Sequence, residues 1–84
     1  LLDAAALDPD RIEAVASAVD GVLSIGNVRS RSDGSGASVD LVVRVDPSLS
    51  TAASHDIADS VERALQTMCT ARDVTVHIEP ERSR

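Results

Sequence analysis

Not one phenylalanine, tyrosine or tryptophan occurs among the 84 residues of this chain. Hydrophobic residues still make up 43% of it, so a core must be assembled from Val, Leu, Ile and Ala. Aromatic side chains normally supply much of the area that a small domain buries. At this length a single core is also near the lower limit of comfortable stability. A thin aliphatic core favours a chain that covers further apolar surface with a partner subunit. The missing aromatics remove the stacking platforms that hold single-stranded nucleic acid, and a net charge of −6 argues against the basic patch that phosphates require. Nucleic acid is therefore not an expected partner, whereas cations are compatible ligands.

Cysteine is nearly absent too. The single Cys69 rules out an internal disulfide and fits a reducing compartment. No apolar run approaches the roughly 20 residues of a membrane span, and no signal-peptide pattern is present. The chain begins at Leu1 rather than Met, which suggests a piece of something longer. Catalytic motifs are missing as well: there is no G-x-S-x-G and no H-E-x-x-H. The two glycines of SDGSG precede a strand rather than a helix N-terminus, so they form no phosphate cradle. Ser54-His55-Asp56 cannot act as a relay, because neighbours on a helix point about 100° apart. Cys69 has no C-x-x-C partner and reads as core packing. An enzyme is not expected.

What is present reads as five elements. In LDPDRIEAVASAVDG, Asp8 is placed to cap a helix, Pro9 to open it and Gly21 to stop it. Ile12, Val15, Ala16 and Val19 form its apolar stripe. VLSIGNVRSR reads as a strand, irregular around Gly26, and SDGSG as a hairpin turn. ASVDLVVRVD returns with Val39, Leu41, Val43 and Val45 on one face and Asp40, Val42, Arg44 and Asp46 on the other. Ser50 caps a long helix whose stripe is Ile57, Val61, Leu65 and Met68, with Ala64 and Cys69 alongside. DVTVHIEP supplies the last strand, which Pro80 ends for want of an N–H. The order αββαβ predicts one α+β domain over residues 1–84, ferredoxin-like, with two helices on one face of a three-stranded sheet. Residues 1–7 read as a linker and 81–84 as a frayed tail.

This arrangement sends Asp40 and Arg44 to the helix-free face, together with Thr75, His77 and Glu79. His77 and Glu79 stand at i and i+2 of a strand, about 7 Å apart on one side. Imidazole and carboxylate are suitable ligands for zinc or another first-row divalent ion; a solvated polar face is the plainer alternative. His55 points away from the core stripe of its helix, with Asp59 at i+4 as an ordinary partner. Arg29 and Arg31 alternate on one side of the first strand, where a solvated face or an inter-chain ion pair is the default.

Taken together, GVLSIGNVRSR, the hairpin, VDLVVRVDPSLS, SHDIADSVERAL and DVTVHIEP resemble the cytosolic C-terminal domain of cation diffusion facilitator transporters over residues 12 to 80. LLDAAAL is similar to the segment that leaves the last transmembrane helix of these proteins. The resemblance implies a divalent-cation/proton antiporter whose own transmembrane domain lies outside this chain, with this part on the cytoplasmic face and not inserted in the membrane. It implies a V-shaped homodimer that binds zinc, iron or manganese, draws its arms together and so favours transport. By position it makes Asp40, His55, His77 and Glu79 or Glu81 the metal-binding candidates. Many members carry a histidine just before the R-x-R of the first strand; Gly26 and Asn27 stand there instead, and one ligand is lost. A set weighted toward Asp40 and His77 resembles the magnetosome-associated members. The alternative from another class is a stand-alone ferredoxin-like module that binds a small molecule or a partner without metal. A heavy-metal chaperone would need a paired-cysteine loop.

Overall fold

Asp8 starts the first helix as its sequence position demands: its carboxylate accepts the Asp10 amide at 3.0 Å, with Pro9 next in the chain. A computed structural model describes residues 7–82. Its elements are α1 (Pro9–Ser17), β1 (Ser24–Asp33), β2 (Gly36–Val45), α2 (Thr51–Met68) and β3 (Asp73–Pro80). The sheet order is β1-β2-β3, with β2 antiparallel to β1 and parallel to β3. A parallel pair needs a crossover, and α2 provides it. Both helices pack on the face bearing Val39, Leu41, Val43 and Val45, giving the ferredoxin-like α+β layer that the pattern predicts. Ile12, Leu41 and Leu65 are fully buried at its centre. Among the described residues no helix is long and apolar enough to cross a membrane.

Two details depart from the sequence expectation. First, α1 ends at Ser17 rather than at Gly21. The amides of Ala18, Val19 and Val22 bond to carbonyls three residues back, so the chain tightens into turns. Gly21, at φ 93°, serves the turn instead, and a Cβ there would lie 2.6 Å from Ile57 Cδ1. Second, Met68 is 57% exposed, not part of the core stripe. The chain reverses at Thr70 (φ 54°), and the Ala71 amide returns to the Leu65 carbonyl at 3.3 Å. Cys69 and Ala71 thus close that end of the core and leave methionine outside. The last strand does end at Pro80, as expected, although one bond follows it: the Glu81 N–H donates to the Val45 carbonyl at 2.7 Å. Proline sits on an edge strand, where its missing N–H would have faced away from β2. Glu81 is therefore held, and only 83–84 of the expected tail, with 1–6 of the expected linker, lie outside the described residues.

Two aspartates tie the turns. Asp33 Oδ1 accepts from the amide and hydroxyl of Ser35, both at 2.8 Å, and Asp46 Oδ1 does the same with Ser48. The serine backbone N–H, then its hydroxyl, hold each carboxyl below its ordinary value. That contribution to stability is present above the ordinary carboxylate range and fades as the pH falls through the lowered folded values.

Candidate metal site

The helix-free face is set by one irregularity in β1. Gly26 pairs with Val42 but Arg29 pairs with Asp40, so β1 carries one residue more than β2 at this point. Asn27, at φ 51°, takes up the excess as a β-bulge. Ile25 and Val28 both reach the core in consequence, while Arg29 and Arg31 keep to the open face. On β3, Thr75, His77 and Glu79 stand opposite Asp40, Val42 and Arg44. Val42 is only 7% exposed although no helix covers it; the polar side chains around it do so.

His77 reaches diagonally past Val42 to Asp40, and its Nε2 lies 3.0 Å from Asp40 Oδ1. Both side chains are about half exposed, 56% and 48% respectively. An imidazole nitrogen and a carboxylate oxygen at this separation share one proton, which a divalent cation can replace. Residues Asn27, Arg29, Asp40, Val42, His77 and Glu79 line an open depression of about 620 Å³ at this point. The donor chemistry fits a first-row ion, but it is half a shell. Among the described residues, no three His, Cys, Asp or Glu side chains are grouped closely enough to hold a metal. Zinc prefers four ligands, so two such pairs would complete one site.

The other candidates are engaged elsewhere. Glu79 shares the face, but its Oε1 lies 3.8 Å from Arg44 Nε. The Glu81 carboxylate accepts the Ser24 hydroxyl at 2.6 Å. His55 is on α2, in the helical layer, 73% exposed and 3.7 Å from Asp59. Asp40 and His77 are thus the two candidates that the fold brings into contact. Sequence reasoning missed the part played by Ser24, Gly26 and Arg44. Glycine inside a strand often marks a close approach, and Gly26 was the available signal.

A family model describing the cytoplasmic domain of cation efflux proteins matches residues 5–81. No curated protein matches the chain in sequence. Among solved structures, the MamM C-terminal domain superposes with a TM-score of 0.80 at 26% identity, over 86% of this chain and 92% of that one. A nickel form and a copper form of substituted MamM C-terminal domains each give a TM-score of 0.81 at 24% identity. They cover 87% of this chain and 94% and 92% of their own, and at that identity show the fold alone.

Proposed function

This chain belongs to the cation efflux proteins as their cytoplasmic domain, and on that footing we propose that it pairs with a second copy and takes a divalent cation between Asp40 and His77 of each. The observation that carries this reading is the 3.0 Å contact between His77 Nε2 and Asp40 Oδ1 on the face that no helix covers. One nitrogen and one oxygen donor per chain suit zinc, with iron and manganese as further candidates. The domain catalyses nothing; its task is to report the cation level to the transmembrane part of the transporter, on whose cytoplasmic side it stands. The nickel and copper forms of the MamM domain support a fold of this kind taking transition metals. The MamM likeness also supports a place among the magnetosome-associated members.

Sedimentation equilibrium in chelator should give about twice the chain mass of 8.8 kDa. A clean monomer at micromolar concentration argues against pairing. Because binding selects the folded state, zinc at about 100 times its dissociation constant should stabilise the domain by roughly 2.7 kcal/mol. His77→Ala and Asp40→Ala should each remove most of that gain, and His55→Ala little of it. Affinity should also fall on acidification, since protonated imidazole cannot ligate. Equal zinc-induced shifts in the wild type and the Asp40→Ala/His77→Ala double variant would leave a binding module without this metal site.

A further inference from the structure

Arg44 is pinned on the open face in a way that bears on which cation the face accepts. An ideal Cβ on Gly26 would lie 2.6 Å from Arg44 Nη2, 3.0 Å from Nη1 and 3.2 Å from Cζ, so the guanidinium rests directly on the glycine. Its Nη1 donates to Ser24 Oγ at 3.4 Å, and its Nε faces Glu79 Oε1 at 3.8 Å. Ser24 in turn donates its hydroxyl hydrogen bond to Glu81 Oε1 at 2.6 Å. Two carboxylates are thereby engaged by one arginine and one serine, while Asp40 and His77 pair with each other across Val42.

We propose that the Gly26–Arg44 stack determines cation selectivity, by holding Glu79 out of the ligand set and leaving the ion to Asp40 and His77. This rests on the metal-site reading above. The Arg44–Glu79 pair is long and partly exposed, so it adds little to stability. Its effect on a cation is larger in kind, because a fixed positive charge stands where an ion would have to approach Glu79. With Glu79 withheld, each chain offers one nitrogen and one oxygen, a set that suits zinc. A second carboxylate per chain would move the preference toward harder ions such as manganese. Gly26 makes the arrangement possible. Its backbone lies outside the left-handed region, so alanine is allowed there, and the atoms a Cβ would displace are the end of a flexible side chain.

Calorimetric titration with zinc chloride and, separately, manganese chloride tests this on the wild-type domain, Gly26→Ala and Arg44→Met, each with and without Glu79→Gln. Gly26→Ala keeps the net charge of −6, and Arg44→Met removes one positive charge. Both should tighten manganese binding about tenfold, and zinc binding less. Glu79→Gln should change the wild type by less than about twofold and cancel the gain in both variants. Unchanged manganese affinity in the two variants overturns the proposal. So does a gain that survives Glu79→Gln, which would reflect charge alone, or a wild type that Glu79→Gln weakens as much as the variants. Asp40→Ala separates the two levels: if zinc still binds, the site reading fails, and the role of the stack with it. If binding is lost there but Gly26→Ala gains nothing, only the stack's role falls.

Discussion

Replacing Leu41 with alanine should cost the domain about 3–4 kcal/mol of folding free energy. Leu41 is 0% exposed on the central strand, facing both helices, in a core without any aromatic ring to redistribute into the space. A domain of this size holds only about 5–10 kcal/mol in total, so the variant should sit near the edge of folding. With a urea slope of about 1 kcal/mol/M, the midpoint in chelator should fall by about 3 M. Val42→Ala makes the useful comparison. Val42 is 7% exposed but lies on the helix-free face, under polar side chains that can settle into the vacated volume. It should cost about half as much. Equal losses would mean that the open face is covered as firmly as the helical one, and a second copy seated on it would be the first explanation to test.

The elements themselves could be read from the chain because each was marked twice, by periodicity and by a punctuating residue. Asp8 and Ser50 cap the helices where expected, and Asp33 closes the hairpin with a bonded serine. The alternation of β2 sorted Leu41 from Asp40 correctly, and with it the face on which a site could stand. What failed depended on contacts between distant segments. The burial of Cys69 and Ala71 in place of Met68 follows from the chain reversal at Thr70, which no helical period contains. The strand ends at Pro80 as expected, but the single bond beyond it, from Glu81, depends on which way an edge strand turns its amides.

The site shows the same division. His77 was a candidate by residue type and face and Asp40 by the family resemblance, but their contact required the β2–β3 register, in which His77 stands beside Val42. Glu79 had the stronger claim in the sequence, by its spacing from His77, and Glu81 entered only through the resemblance. Their engagement by Arg44 and Ser24 is a matter of side-chain reach across β1 and β2, and there the period-2 pattern is silent.

Adding zinc should shorten and sharpen the distance between the two copies of α2 in the paired domain. Each chain carries a net −6, and in the proposed pair the two Asp40 carboxylates would repel one another when bare. That repulsion favours an open pair, and sharing one cation between the carboxylates relieves it. The population moves only by the difference in affinity between closed and open forms: about 1.4 kcal/mol changes the ratio tenfold. Leu7 is tied to the sheet, because its carbonyl accepts the Ser30 hydroxyl of β1 at 3.1 Å. Under the proposed function, a shift of the sheet would be passed up the chain through this held residue. A spin label at Gln66→Cys sits on the exposed side of α2, and the native Cys69 is 6% exposed and protected from labelling. Zinc should then move the distance distribution inward in the wild-type background. Asp40→Ala should blunt that response while leaving the sedimenting mass of the dimer unchanged, because the carboxylate acts on the angle between copies and not on their pairing. If zinc binds and the distribution stays where it was, the ion is structural and the domain is not a clamp that the cation closes.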